Sequence, residues 1–402
     1  MTRGSIQEYI KAVRERYLRA TKRDKGLILD EFIQVTGYHR KAAIRLLHRD
    51  SLVRHSKRRG RKRHYGDETV KALRLLWEAS DHLCSKRLKP FIGELIKVLR
   101  QHGELAVNAD VEAELNHISP STIDRLLRPW QRLGVHRPLT TTKPGTLLKK
   151  SISIRTFADW TEDRPGFLEI DLVAHCDENT EGFYLNTLST VDVASGWAEC
   201  MGVWGKGQER VGAAIHQLRG RLPFPLLGLD SDNGGEFINQ HLYDYCRRER
   251  ITFTRSRPYK KNDSCHVEQK NWSLVRRVIG YGRYNSHAAL ERLNMVYAIL
   301  RQYVNFFQPT MKLISKTRHG AKVHKIYDIA KTPYQRLLES GVLTPAKQSE
   351  LAAIYKGLNP VQLLRQLNGH LTHLWKLAER PQKARGETIS VTGTFESTKA
   401  VR

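Results

Sequence analysis

The chain has 402 residues, 40% of them hydrophobic and 8% aromatic, with 68 Lys and Arg against 41 Asp and Glu and a formal net charge of +27. That length fills two or more hydrophobic cores, and the charge selects a polyanion partner, nucleic acid before an acidic membrane. Five scattered cysteines with no Cys-x-x-Cys pair argue against a disulfide framework or a structural zinc, and no run of about 18 apolar residues suggests a membrane span.

The first residues carry Glu8 and Glu15 and no apolar signal-peptide core, so a cytoplasmic location is expected. Ile6, Ile10, Val13 and Tyr17 make a helical stripe over 5–19. Asp24 can cap a second helix containing Leu27, Phe32 and Ile33, which ends at Thr36-Gly37. A third helix runs from Tyr38 to His48, with Ala43, Leu46 and Leu47 inward and His39, Arg40, Lys41 and Arg45 outward. Helix, glycine turn and basic helix form a helix-turn-helix pattern for residues 1–53, and the bland alternative is a three-helix bundle with a solvated basic face. Residues 54–66 are a basic linker, in which Arg59 and Arg61 are candidates for a minor-groove arm.

Residues 67–130 read as a second helical, helix-turn-helix-like domain. Val70, Leu73, Leu76 and Trp77 form one stripe, and Phe91, Ile92, Leu95 and Leu99 another. Ser119 and Pro120 suit the N-cap and first turn of a short helix. That helix is a recognition-helix candidate or simple packing. Residues 131–155 are a linker containing Pro138, Pro144 and a threonine run. An α/β core over 156–308 follows. Strands are expected at Leu168–Cys176, Gly182–Val193, Trp197–Trp204, Leu226–Leu229 and Ile251–Thr254. Helices are expected at Gln208–Leu222, Glu236–Glu249, 265–281 and 287–307. Residues 309–380 form a basic and helical C-terminal region, with candidate strands at Thr310–Leu313 and Ala321–Ile326, and 381–402 read as a disordered tail.

Three acids stand out. Asp171 interrupts an apolar strand, where a carboxylate is costly unless it is paired, neutral or metal-bound. Asp232 ends a second apolar strand and opens the turn Asn233-Gly234-Gly235. Glu268 follows Asp232 after an interval of 35 residues, on a helix with Asn271, Trp272 and Val275. By strand alternation Glu169 shares a face with Asp171, and Asp230 with Asp232. Glu236 has a bland reading as an acid at a helix start.

This arrangement resembles the D, D-x(35)-E triad of retroviral integrases and bacterial insertion-sequence transposases, over roughly residues 150–310. The resemblance implies a ribonuclease-H-like integrase core and a DNA transposase. Such an enzyme binds terminal inverted repeats, hydrolyses the 3′ ends and joins them to target DNA. It selects Asp171, Asp232 and Glu268 over Glu169, Asp230 and Glu236 as catalytic ligands of two Mg²⁺ (or Mn²⁺) ions. Its partners would be double-stranded DNA, as transposon ends and target, and further copies of itself in a homo-oligomer on DNA. The location would be the bacterial cytoplasm, at the nucleoid. Lys260, Lys261, Lys270 and Arg276, around the third acid, join His39, Arg40, Lys41, Arg45, Arg59 and Arg61 as DNA-contact candidates. The chain departs from the family pattern at Asn262-Asp263, where integrases often carry Asn-Gly, and it shows no N-terminal zinc module. A structure-specific nuclease and a catalytically inactive regulator remain the alternatives.

Overall fold

The computed structural model describes residues 3–48, 64–130, 153–154, 164–257 and 261–379. The chain divides into two compact units, Met1–His64 and Tyr65–Arg402.

The first unit consists of α1 (Arg3–Arg19), α2 (Lys22–Thr36) and α3 (Arg40–Leu47). Ile10, Val13 and Tyr17 bury against Leu29, Phe32, Ala43 and Leu47. Thr21, and not Asp24, is the N-cap of α2, and its hydroxyl accepts from the Asp24 backbone N–H. The reason is geometric: a hydroxyl just before the first turn reaches the free N–H groups that a side chain inside the turn cannot. Gly37 ends α2 at φ 72°, a left-handed conformation that costs glycine little. The basic set on α3 is exposed, and Arg40 pairs with Asp30 of α2.

The second unit opens with α4 (Asp67–Ala79), α5 (Ser85–Gln101), α6 (Ala109–His117) and α7 (Pro120–Leu127). Ser119 caps α7 with Pro120 in its first turn, as expected. The expected boundary after residue 130 divides residues that share one core. The stripes of α4 and α5 belong to the same buried cluster as the sheet.

The sheet comprises β1 (Ser153–Ile154), β2 (Phe167–Ala174), β3 (Asn186–Asp192), β4 (Ala198–Val203), β5 (Gly228–Ser231) and β6 (Thr252–Arg255). Its order is β1-β6-β5-β2-β3-β4. β2, β3 and β4 pair antiparallel through short turns, and β5, β6 and β1 continue in parallel from β2. The parallel step from β4 to β5 is made by α8 (Gln208–Arg219), and that from β5 to β6 by α9 (Gln240–Arg248). β5 starts at Gly228, two residues beyond the expected start. A Cβ there would lie 2.4 Å from the Phe167 ring, so only glycine lets β5 close on β2. The helix expected from Glu236 begins instead at Gln240, where Asn239 caps it by accepting from the Leu242 N–H at 2.9 Å.

After β6 come α10 (Cys265–Lys270), a π-helical turn Asn271–Arg276 and α11 (His287–Phe307). A hairpin of β7 (Leu313–His319) and β8 (Lys322–Tyr327) follows, then α12 (Pro333–Glu339), α13 (Pro345–Gly357) and α14 (Pro360–Lys376). The chain's return over α4 and α5 is pinned by polar ties. Tyr303 donates to the Ala79 carbonyl at 3.0 Å, Tyr355 to Glu94 at 2.6 Å, and Asn359 to Glu104 at 2.9 Å. No helix among the described residues is long and apolar enough to cross a membrane.

Candidate active site

β2 and β5 run side by side in parallel, with Glu169 opposite Asp230 and Ile170 opposite Ser231. One step further along each strand are Asp171 and Asp232. Asp171, midway along β2 and paired with Ser189 of β3, therefore lies beside Asp232, the first residue past the C-terminal end of β5. Asp171 accepts from the Leu172 N–H at 2.7 Å and from the Asn271 side-chain amide at 2.6 Å. Asp232 accepts from the Gly234 N–H at 2.8 Å, which closes the turn after β5. Burial and then the Asp232 charge push the Asp171 carboxyl above its usual range, and burial does the same to Asp232. Two acids held together favour a cation between them, whose charge would offset their repulsion.

The layer beneath is different in kind. Glu169 and Asp230 are almost wholly buried, at 0% and 1% exposure. Asp230 accepts from Thr254 of β6 at 2.5 Å. Glu169 accepts from the Val267 N–H of α10 at 2.8 Å, and burial pushes it up to about 8. This layer ties three strands and the helix carrying the third acid into one block.

Asn233 donates to the Ser256 carbonyl at 2.8 Å and accepts from Arg255 at 3.0 Å, so the turn after β5 is fastened to the end of β6. Asp263, at the position where the sequence departs from integrases, has no exposure. It accepts from the Arg257 backbone at 3.3 Å and from its guanidinium at 2.7 and 2.8 Å. That clamp fixes the entry to α10, a task to which glycine could bring no side chain.

Glu268 is on α10, exposed, one helical turn before Asn271. Its charge is felt by Glu169 and Cys265. The structure thus brings Asp171 and Asp232 together and places Glu268 on the adjoining helix. Among the described residues, no three His, Cys, Asp or Glu side chains converge as a metal-binding group. The carboxylate that crowds the aspartates is Glu236, whose charge acts on Asp171 and is itself acted on by Asp232. It folds back over Gly234, where a Cβ would meet its carboxyl group at 2.7 Å. Its bland reading as a helix-start acid is overturned, because the helix starts four residues later.

The donor set suits a hard divalent cation. The Asp171 and Asp232 carboxylates act on each other, and the Asn271 Oδ1 beside them is buried without a hydrogen-bond donor.

The expected basic contacts divide. His39, Arg40, Lys41 and Arg45 are exposed on the first unit. Arg59, Arg61 and Lys260 lie outside the described residues, and Lys261 begins a 3-10 turn, Lys261–Ser264. Arg276 is half-buried over the Tyr281 ring at 5.2 Å, close enough for its charge and that of Asp171 to interact. Lys270 is a correction: it is buried, and burial lowers its ammonium to about 8, so it is not presented to a phosphate. It lies on the inward side of a helix packed on β2 and β3. Asn271 is the residue that sequence reasoning passed over. Its signal was the one-turn spacing from Glu268.

No family model matches the chain. A protein of Sinorhizobium fredii, described as the uncharacterized protein y4rM, is 42% identical over 329 residues, covering 82% of this chain and 94% of that one. Among solved structures, the catalytic core domain of BIV integrase is similar over 44% of this chain and 95% of its own, at 22% identity and a TM-score of 0.30. The HTLV-2 integrase catalytic core domain in complex with magnesium is similar over 37% and 91%, at 15% identity and a TM-score of 0.28.

Proposed function

We propose, for a chain that belongs to the family of the uncharacterized protein y4rM, that it is a DNA transposase of the insertion-sequence type. In this reading it binds terminal inverted repeats through residues 1–130, hydrolyses the 3′ ends and joins them to target DNA. The observation that carries the proposal is the side-by-side placing of Asp171 on β2 and Asp232 just past β5, beside a helix bearing Glu268 at the 35-residue interval.

Asp171, Asp232 and Glu268 would hold divalent ions, which supply activation of an attacking oxygen and stabilisation of a leaving one. The chain's own residues do the positioning. Asn271 orients Asp171, the Gly234 N–H orients Asp232, and Glu169 anchors α10 through Val267. Arg276 and the basic surface hold the DNA backbone against the acids.

The test is processing of a labelled inverted-repeat end with and without Mg²⁺. Mg²⁺-dependent nicking followed by strand joining supports a transposase. Nicking without joining makes the chain a nuclease, and binding without nicking makes it a regulator.

A further inference from the structure

The segment Met311–Lys331 carries Lys312, Lys316, Arg318, Lys322, Lys325 and Lys331 against one acid, Asp328. The structure assigns that acid to the base of the β7–β8 hairpin. Asp328 accepts from the Lys312 N–H at 2.6 Å and pairs with Arg336 of α12 at 2.7 Å. Two of the bases are also used there: Lys312 reaches the Ala194 carbonyl, and Lys331 pairs with Glu339 at 2.7 Å. Beyond the base, Lys316, Arg318, Lys322 and Lys325 extend along the ribbon with His319 and His324, and no acid lies among them.

The ribbon is built against its own interest. Every residue of β8 is exposed, and in β7 only Ser315 is partly covered. A two-stranded hairpin without a covered face is marginal in water. Lys316 stands directly opposite Lys325. Like charges directly across a strand pair are destabilising. A polyanion relieves this repulsion, and a two-stranded ribbon is one of the elements a DNA major groove, about 12 Å wide, admits.

We propose that the β7–β8 ribbon is an arm that lies in a groove of duplex DNA, with Lys316, Lys322 and Lys325 on the phosphates. The inference rests on the reading that the chain acts on DNA.

The experiment compares three full-length proteins for duplex binding across a salt series: the wild type, a Lys316→Ala/Lys322→Ala/Lys325→Ala variant, and a control. The control carries Arg247→Ala, Lys356→Ala and Lys376→Ala, three exposed bases on other elements outside residues 1–130. Each phosphate contact contributes about 0.9 to the slope of log affinity against log salt, so the ribbon variant is expected to be shallower by about 2.7. The control keeps the wild-type slope, and all three melt at similar temperatures. A ribbon variant with the wild-type slope overturns the arm while leaving the DNA reading intact. Equal loss in the control also overturns it, since charge alone then explains the effect. Wild-type binding without salt dependence removes the DNA reading, and the arm with it. Light scattering without DNA gives the last outcome: if the ribbon variant alone falls to a smaller species, the ribbon mates with a second copy and the arm is refuted.

Discussion

The Asn271 side-chain amide donates to Asp171 at 2.6 Å across 100 positions of chain, joining the strand that carries the first acid to the helix that carries the third. Removing the donor leaves a crowded carboxylate free to turn. Asn271→Ala is therefore expected to lower Mg²⁺-dependent end cleavage by about 10–100-fold, the usual cost of losing a residue that orients a ligand. The melting temperature should change little, because Asn271 is only half-buried. Wild-type cleavage by this variant would show that the amide does not position Asp171.

Asp171→Asn, Asp232→Asn and Glu268→Gln each remove one anionic ligand at nearly constant volume. Each is expected to reduce cleavage and joining by more than about 100-fold, beyond the cost of losing an orienting residue. Inverted-repeat binding, measured by gel shift, should persist. Glu169→Gln and Asp230→Asn should lose much less, since their carboxylates tie strands and α10 together. Glu236→Gln, which removes the acid leaning on Asp232, is expected to fall between the two sets. If Glu236→Gln is inactive and Glu268→Gln active, the third ligand is Glu236.

Glu169 gives a pH signature. Burial raises its folded value to about 8, above the usual carboxylate range. The folded state thus keeps a proton that the unfolded chain releases. The corresponding stability is fully present below the unfolded value and is lost as pH rises to about 8. Glu169→Gln removes that dependence, so its melting temperature relative to wild type should climb between pH 5 and pH 8 and then level off. A constant difference across that window would mean Glu169 is ionised in the fold.

Arg301 of α11 holds the buried Glu199 of β4 through nitrogens at 2.7–3.0 Å, and the Trp197 ring N–H donates to the same carboxylate at 3.0 Å. Arg301→Ala strands the carboxylate in the core and is expected to cost about 3–5 kcal/mol in urea unfolding. Adding Glu199→Gln should recover part of the loss. A loss under about 1 kcal/mol would indicate a pair as weak as a solvated surface bridge.

Much of the site was legible because it rests on local pattern. Alternation placed Glu169 with Asp171 and Asp230 with Asp232 on strands that do pair in register. The 21-residue helix His287–Phe307 matched its expected span. What failed depends on distant partners. Nothing around Glu236 says that Asn233 will be fastened to Ser256, which delays the helix to Gln240. Nothing near Lys270 says which side of α10 the sheet will cover. The pairing of Ser153 with Thr254 lies in a stretch whose alternation, Ser151-Ile-Ser-Ile154, is too short to mark a strand by itself.

The ties of α11 and α14 to the helices before the sheet bear on how this chain can be dissected. Tyr303, Phe306 and Phe307 of α11 are buried among groups from α4, α12 and α13. A fragment cut at 156 and 308 would keep the acids and bare that aromatic surface, making an aggregating piece. The cut that respects the packing is near His64, which leaves the acids, the ribbon and the helical cover on one polypeptide.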